Sequence, residues 1–207
     1  MKAKVKYVVY VIAIIAVSLL GLNYFRSTLN KDITDNAKVI SKFHNKAKHG
    51  EDISVFVDFS ISNAYPRFFV YDNRNDSLLS LSKCAHGCGG GSTADKPVFS
   101  NTPGSMCSSL GTYRLRCVDK LHTIPFPCIR IDGLSTTNSN AAARGIVIHE
   151  APFAADPVSI GVPMPITKYI SEGCFAISHE TFTLLCDLVK ENKSIYLYAT
   201  DNPIKPL

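Results

Sequence analysis

A run of nineteen residues without a charge, from Tyr7 to Phe25, is the feature that most constrains this 207-residue chain. As a helix rising about 1.5 Å per residue, it would reach about 28 Å, close to the ~30 Å hydrocarbon core of a bilayer. Three lysines and no acid precede the run, and such a flank stays on the cytoplasmic side. The pattern predicts a signal anchor over residues 1–25 that crosses the inner membrane through residues 7–25 and leaves the rest of the chain exported.

A cleavable signal peptide and a buried core helix both fit this run less well than an anchor does. A cleavable signal peptide has an apolar region of about 7–15 residues and ends in a small-x-small cleavage site, whereas this run ends in LNYF at residues 22–25. A helix that packs on the core of a small globular domain keeps a polar face toward water, whereas this run is apolar all round and begins a few residues from the terminus. Sequence alone leaves open whether the anchor is cleaved.

The segment that follows, residues 26–52, is predicted to be a helical stalk. Its apolar residues recur at the spacing of one helix face: Ile33, Ala37, Ile40, Phe43 and Ala47. Gly50 then acts as a stop signal. The lysines of the segment either touch anionic headgroups or, as we prefer, lie on a solvated helix face.

The charge balance argues against a nucleic-acid partner. The net charge is +5, but the three lysines before the apolar run supply three of those charges. The remainder is nearly neutral, without the clustered basic surface that phosphate binding requires. With 46% hydrophobic and 19% charged residues, the chain is neither disordered nor collagen-like.

Residues 53–207 are predicted to form one mostly β domain. Short runs rich in Val, Ile, Phe and Tyr predict strands: Ile53–Phe59, Arg67–Tyr71, Gly111–Cys117, Cys128–Ile131, Gly145–His149 and Ile195–Ala199. Asp72–Asp76 has the composition of a turn. Ser178 is the predicted N-cap of a helix with the sequence HETFTLLCDLVKEN. Two polar stretches, residues 82–108 and 132–143, are long enough to be loops of a functional site.

A cysteine nucleophile is suggested by the seven cysteines, an odd number in a chain expected to be exported. Cys174 follows Ser171-Glu172-Gly173, and a glycine there lets backbone N–H groups converge into an oxyanion hole. His149 ends an apolar strand, where an imidazole could take the thiol proton. Sequence cannot select disulfide partners for the other six cysteines.

The motif Cys84-x-His86-x-Cys88 allows a metal-site interpretation, but a four-ligand zinc site needs a second close pair of ligands, and none follows. We therefore expect no metal, and interpret the motif as a local disulfide or as loop packing. A disulfide exchanger is a further alternative, although the motif lacks C-x-x-C spacing.

Five segments together resemble the murein L,D-transpeptidase catalytic domain family, YkuD-like, in its larger, export-anchored subgroup. They are VDFSISNAYPRFFVYD (57–72), AHGCGGGS (85–92), FSNTPGSMCSSLGTYRL (99–115), IRIDGLSTTNSNAAARGIVIHEA (129–151) and SEGCFAIS (171–178). The resemblance implies a β-sandwich-like catalytic fold with one or two short helices.

The resemblance also implies catalytic roles. Cys174 would be the nucleophile and His149 the base, with the N–H groups of Gly173 and Cys174 as oxyanion donors and Ser171 shaping the cysteine loop. The imidazole would be oriented by the backbone carbonyl of Glu150, where the family usually has Gly. The Glu150 carboxylate could raise the pKa of the imidazole or point to solvent, and we favour solvent.

Substrate-binding residues are implied less directly. SEGCFAIS lacks the Arg that smaller family members place two residues after the cysteine, and Arg144 or Arg130 could replace it, unless they form structural contacts. The other expected substrate-side residues are Ser109, Gly111, Tyr113, His86 and Glu150. Tyr113 could equally belong to the core.

The implied reaction is acyl transfer on tetrapeptide stems of peptidoglycan, with release of D-Ala and without a metal or organic cofactor. Cross-linking to a second stem is the expected outcome. An L,D-carboxypeptidase that uses water on the same acyl-enzyme is one alternative, and a membrane-anchored wall-binding protein without turnover is another. Sequence separates neither these outcomes nor oligomeric states.

Overall fold

The computed structural model describes residues 10–12, 14–24, 27, 52–121, 124–151, 154, 171–191 and 194–202. The chain divides into two compact units, residues 1–35 and 36–207. In the first unit, residues 10–12 and 14–24 are helical with exposed side chains. No helix within the described ranges is both long and apolar enough to cross a bilayer. The anchor stays a prediction, and the predicted stalk helix lies outside the described residues.

Eight strands and one α-helix make up the described part of the second unit. The strands are β1 (Ile53–Asp58), β2 (Phe68–Asp72), β3 (Ser77–Ser82), β4 (Gly111–Leu121), β5 (Ile124–Gly133), β6 (Val147–Glu150), β7 (Phe175–Ile177) and β8 (Tyr196–Thr200). The helix is α1 (His179–Lys190), and residues Gly89–Gly91 form a 3-10 turn. The expectation of a mostly β fold with few helices is confirmed. Each of the six predicted strands is present, and β3 and β7 were not predicted.

The strands form one sheet in the order β3-β2-β1-β8-β4-β5-β6-β7. Neighbouring strands run antiparallel except in the pairs β1–β8 and β6–β7. Just beyond the edge strand β3, Ala85 forms a bridge to Ala176 in the other edge strand, and its N–H donates to the Ala176 carbonyl at 2.9 Å. The sheet therefore curls until its two edges are joined, and the joint lies two residues after Cys174.

Helix α1 packs its predicted face against this sheet. Ser178 is the N-cap, and its hydroxyl accepts the N–H of Thr181 at 3.3 Å. Phe182, Leu185, Leu188 and Val189 are buried in the same apolar core as the inward residues of the strands. Each such side chain contributes on the order of 1.5–3 kcal/mol through its removal from water.

Strands β4 and β5 form a hairpin that extends beyond its neighbours. Only Gly111–Arg114 of β4 pair with β8, and only Cys128–Arg130 of β5 pair with β6. Within the part of the chain that the structure describes, the rest of the hairpin, toward Leu121 and Ile124, pairs only within itself. Because Cys128 is the partner of His149, this extension begins beside the predicted base.

Candidate active site

Cys174 and His149 are brought together by the parallel pairing of β6 with β7. The register joins Ile148 to Phe175 and His149 to Ala176, so Cys174, one residue before β7, lies beside Val147. The Cys174 thiol donates to the Gly145 carbonyl oxygen at 3.8 Å, and the Val147 N–H favours the thiolate form and so lowers the pKa of Cys174. Since alternate residues of a strand share a face, Val147 and His149 project to the same side as Cys174. The predicted nucleophile and base therefore share one face of two adjacent strands.

The His149 imidazole has a defined tautomer. Its Nδ1 lies 2.9 Å from the carbonyl oxygen of Glu150. A carbonyl can only accept a hydrogen bond, so the proton is on Nδ1, and Nε2 keeps its lone pair. Burial lowers the pKa of His149 below its ordinary value, against a smaller opposing effect of the Glu150 carbonyl. The ring is therefore neutral at pH 7, as a general base must be.

Cys174 is held as a thiol in the same environment. Its side chain is partly exposed, yet desolvation by the surrounding protein raises its pKa above the ordinary value, and the Val147 N–H only partly offsets this effect. A neutral thiol beside a neutral imidazole means that no thiolate–imidazolium pair exists at rest. A base is then needed to form the thiolate, and the Nε2 lone pair of His149 could accept the thiol proton.

Ser171 shapes the loop that carries Cys174. Its hydroxyl donates to the Cys174 carbonyl at 2.5 Å and accepts the Gly173 N–H at 3.3 Å. The Ser108 hydroxyl holds the loop from the other side by donating to the Gly173 carbonyl at 3.1 Å. Gly173 has a φ of 115°, which side-chain-bearing residues rarely adopt. The loop conformation thus depends on a glycine at this position.

Glu150 directs its carboxylate away from the base. Its Oε2 lies 2.9 Å from Nδ1 of His179, the first residue of α1. Consecutive residues of a strand point to opposite faces, which explains why the carboxylate and the His149 imidazole do not meet. The hydrogen bond to Glu150 raises the pKa of His179. Glu150 contacts His149 through its backbone alone.

Arg144 is fully occupied by protein acceptors. Its Nη1 donates to the Ser100 carbonyl and the Ser109 hydroxyl, both at 2.8 Å. Its Nη2 donates to the Ser105 hydroxyl at 3.2 Å and the Cys107 carbonyl at 2.5 Å. All four hydrogens on the terminal nitrogens are used. In this structure the guanidinium holds the loop before β4 and has no terminal N–H left for a substrate carboxylate.

Three further residues that the resemblance placed on the substrate side lie behind the site. Tyr113 is fully buried, donates to the Ser109 carbonyl at 2.7 Å and packs edge-on against Phe175 at 5.4 Å between ring centroids. Ser109 is itself buried. Gly111 starts β4, and a Cβ there would lie 2.6 Å from the Ser135 hydroxyl. Tyr113 therefore supports β7 from within the core, while Ser109 and Gly111 make contacts with the loops on either side of β4 and β5.

His86 is also buried rather than open to the cleft. Its Nδ1 lies 2.6 Å from Nη2 of Arg67, and its Nε2 lies 3.0 Å from the Thr93 carbonyl. Because a guanidinium only donates, Nδ1 accepts and Nε2 carries the proton. Burial, with the Arg67 charge, lowers the pKa of His86 to about 4. Both ring nitrogens serve internal contacts.

The cysteines give no separate indication of a metal or disulfide site. All seven are described, and all are free thiols. Among the described residues, no group of three or more His, Cys, Asp or Glu side chains is arranged to hold a metal ion. Cys84, from the C-x-H-x-C motif, is fully buried, and desolvation raises its pKa to about 12. The odd cysteine count thus does not single out Cys174, which is identified by its position beside β6.

One residue at the site was not predicted from the sequence. The ring of Phe126, in the β4–β5 hairpin, lies 5.5 Å from the His149 ring between centroids, and 41% of Phe126 is exposed. A signal was present in the sequence: the phenylalanine stands between two prolines, IPFPC at residues 124–128, a pattern that disfavours a regular central strand.

Comparison with known proteins gives one family. A family model described as the L,D-transpeptidase catalytic domain matches residues 26–198. No curated protein matches this chain. Solved structures that match include an L,D-transpeptidase from Mycobacterium smegmatis (13% identity, 72% of this chain and 59% of that chain covered, TM-score 0.39).

Two more solved structures cover the same share of this chain, 72%. L,D-transpeptidase 1 of Mycobacterium tuberculosis matches at 12% identity with a TM-score of 0.36, over 62% of its own chain. An L,D-transpeptidase of Xylanimonas cellulosilytica matches at 12% identity with a TM-score of 0.39, over 61% of its chain. The match therefore spans about three fifths of the length of each of these solved proteins.

Proposed function

This chain belongs to the L,D-transpeptidase catalytic domain family, and from that premise we propose that it cross-links peptidoglycan by cysteine acyl transfer. The donor is a tetrapeptide stem, and the acceptor is the side-chain amine of a second stem. The observation that carries the proposal is the placement of Cys174 and His149 on one face of β6–β7, with the His149 Nδ1 bonded to the Glu150 carbonyl.

In the first half-reaction, Nε2 of His149 takes the thiol proton while Sγ of Cys174 attacks the carbonyl at the L-centre of the third stem residue. The tetrahedral intermediate then breaks its C–N bond, and the imidazolium returns the proton to the leaving D-Ala amine. The product is a thioester on Cys174. The buried, neutral imidazole supports this sequence, since a ring already protonated could not accept the thiol proton.

In the second half-reaction, the acceptor amine attacks the thioester carbonyl. His149 takes the proton from that amine, the C–S bond breaks, and the proton goes to the departing sulfur. Water in place of the amine gives a tripeptide, the carboxypeptidase outcome. Both routes use the same acyl-enzyme, and neither step employs a cofactor.

The N–H groups of Gly173 and Cys174 are the proposed oxyanion donors. The bond from the Gly173 N–H to Ser171 is 3.3 Å long, toward the weak end of hydrogen bonds. An oxyanion is a stronger acceptor than a hydroxyl, so the developing charge can recruit this N–H. The Ser171 hydroxyl stays anchored to the Cys174 carbonyl throughout.

We also propose that residues 7–25 anchor the protein in the inner membrane and that the catalytic domain is exported to the periplasm or the cell-wall side. The charge-free run and the lysines before it support this location. Cell fractionation with external protease should find the catalytic domain in the membrane fraction and open to cleavage. Recovery as a protease-protected cytoplasmic protein would contradict it.

The central experiment is intact-protein mass spectrometry of the chain incubated with a carbapenem. We expect a single covalent adduct on the wild type and none on Cys174→Ala. The matched control is Cys117→Ala, which removes an exposed thiol from β4 and should keep the adduct. No adduct on folded wild type, or an equal adduct on Cys174→Ala, would refute the assignment. A muropeptide profile then separates cross-linked dimers from tripeptides.

A further inference from the structure

Phe126 is an exposed aromatic side chain that contacts the proposed base. Its ring is tilted 50° to the His149 imidazole at 5.5 Å between centroids. With 41% of its surface exposed, it is not a core residue, and burial does not explain its position. An apolar side chain that stays in water beside a reactive group presents a surface that a ligand can cover.

The backbone around Phe126 departs from regular strand geometry. In the hairpin, Lys120 is opposite Pro127 and the next residue, Leu121, is opposite Ile124. The register therefore skips Pro125 and Phe126, which form a bulge in β5. Bulges re-aim a side chain and occur next to active sites. The prolines on either side lack an N–H, so this part of β5 cannot form a regular ladder.

The position of Phe126 next to His149 determines which reactant it can contact. In the proposed mechanism, His149 gives its proton to the leaving amine and later takes one from the incoming amine. Both amines must therefore come within hydrogen-bond reach of the imidazole. A side chain that lies against that ring borders the space that the acceptor amine enters.

We propose that Phe126 determines acceptor choice, favouring an amine on an aliphatic chain over water in the attack on the Cys174 thioester. The inference rests on the proposed function. Methylene groups next to the acceptor amine gain free energy by covering the aromatic ring, and water gains nothing there. The products differ: aminolysis forms a C–N bond and hydrolysis a C–O bond, and each breaks the same C–S bond.

The test measures the ratio of cross-linked dimer to tripeptide formed from a purified disaccharide-tetrapeptide, by liquid chromatography and mass spectrometry. Phe126→Ala should lower this ratio about tenfold, the effect expected from losing one well-covered aromatic contact. Phe126→Leu keeps an apolar surface and should change the ratio by less than about threefold. The matched control is Leu79→Ala in β3, since Leu79 is also 41% exposed.

A second measurement tests the proposed acyl-transfer function separately from the role of Phe126 in acceptor choice. The rate of carbapenem adduct formation reports acylation of Cys174 without an acceptor, and measuring it for both Phe126→Ala and wild type separates a change in acylation from a change in the fate of the acyl-enzyme. An unchanged dimer-to-tripeptide ratio in Phe126→Ala, or a wild type that forms only tripeptide, overturns the inference while the acyl-enzyme stands. No adduct on the wild type overturns the proposed function itself.

Discussion

The Nδ1 atom of His149 donates a hydrogen bond to the backbone carbonyl of Glu150, the next residue, at 2.9 Å. A peptide group therefore does the orienting that a carboxylate does in a Ser-His-Asp triad. The Glu150 carboxylate binds His179 instead. Backbone and side chain of one residue thus serve different partners, and substitutions at position 150 can separate them.

Glu150→Gln should leave catalysis nearly unchanged. The substitution keeps the carbonyl that orients His149 and removes only an exposed, solvent-screened pair with His179. We expect the kcat/KM for muropeptide turnover to stay within about fivefold of wild type. His149→Gln, the control, should lose at least about a hundredfold. A collapse in Glu150→Gln would mean that the carboxylate acts on the base.

The same variant should lower the pKa of His179. The hydrogen bond to Glu150 raises that pKa in the folded protein, so the pair stabilises the fold below the ordinary histidine value and this stabilisation is lost as pH rises through the raised value. Titration of the His179 ring protons by NMR should show a lower pKa in Glu150→Gln. An identical titration curve would show that the pair does not persist in solution.

The pH dependence of acylation should reflect a buried base. Burial lowers the pKa of His149 below 6.5, so more than half of the rings are neutral at pH 6.5. Activity is lost only as pH falls through the lowered value, because the protonated imidazole cannot accept the thiol proton. The rate of carbapenem adduct formation against pH should show an acid limb with an apparent pKa below 6.5. An acid limb above 7 would mean that burial does not lower the pKa of the base.

Gly173→Ala should disable the cysteine loop. A Cβ there would lie 2.6 Å from the Cys107 carbonyl oxygen and 2.7 Å from Cδ1 of Ile146, at a φ of +115°. The loop must shift, which we expect to lower the rate of Cys174 acylation at least tenfold and to cost about 1–3 kcal/mol of stability.

The control for this substitution is Gly104→Ala. Gly104 also has a positive φ, +76°, but nothing lies within 4 Å of a Cβ at that position. It should cost about 1 kcal/mol through backbone strain and leave acylation unchanged. If adduct formation is equally fast in both alanine variants, the close packing around Gly173 is not required for acylation of Cys174.

Features that depend on residues close together in the sequence could be predicted, whereas features that depend on distant residues could not. Ser178 as N-cap and the apolar face of α1 are local patterns, and the structure confirms both. Strand β3 was missed because SLLSLS lacks the β-branched and aromatic residues that mark strands. Strand β7 has only three residues, Phe175–Ile177, and exists through its pairing with β6, which no local pattern encodes.

The same distinction between local patterns and long-range contacts applies to the candidate site. Cys174, His149 and the Glu150 carbonyl were expected from a resemblance, and β6–β7 gives them a common face. The contacts of Arg144 join residues 35 to 44 positions apart, and Phe126 meets His149 across two strands. Such contacts join residues far apart in the sequence, so sequence could name Arg144 as a candidate without showing what it holds.

Arg144→Lys should destabilise the protein before any substrate is present. The four hydrogen bonds from the guanidinium fix the loop of residues 100–109, and a Cβ on Gly173 would lie 3.3 Å from its Nη2. A lysine cannot reproduce the planar fork, so partly buried acceptors lose their donors. We expect a loss of about 2–4 kcal/mol in the free energy of unfolding, measured with urea, and slower acylation of Cys174.

The matched control is Arg130→Lys, the other arginine considered for the substrate carboxylate. Arg130 forms an exposed ion pair with Asp119 at 2.6 Å, and because solvent screens this pair, its replacement should leave the urea unfolding midpoint close to that of wild type. If Arg144 served the substrate instead, Arg144→Lys would unfold at the wild-type urea concentration and raise KM for the stem peptide. A structural role predicts that Arg144→Lys unfolds at a lower urea concentration than wild type, with no substrate present. The rate of Cys174 acylation should then fall as well, because the loop of residues 100–109, which contacts Gly173, is no longer held.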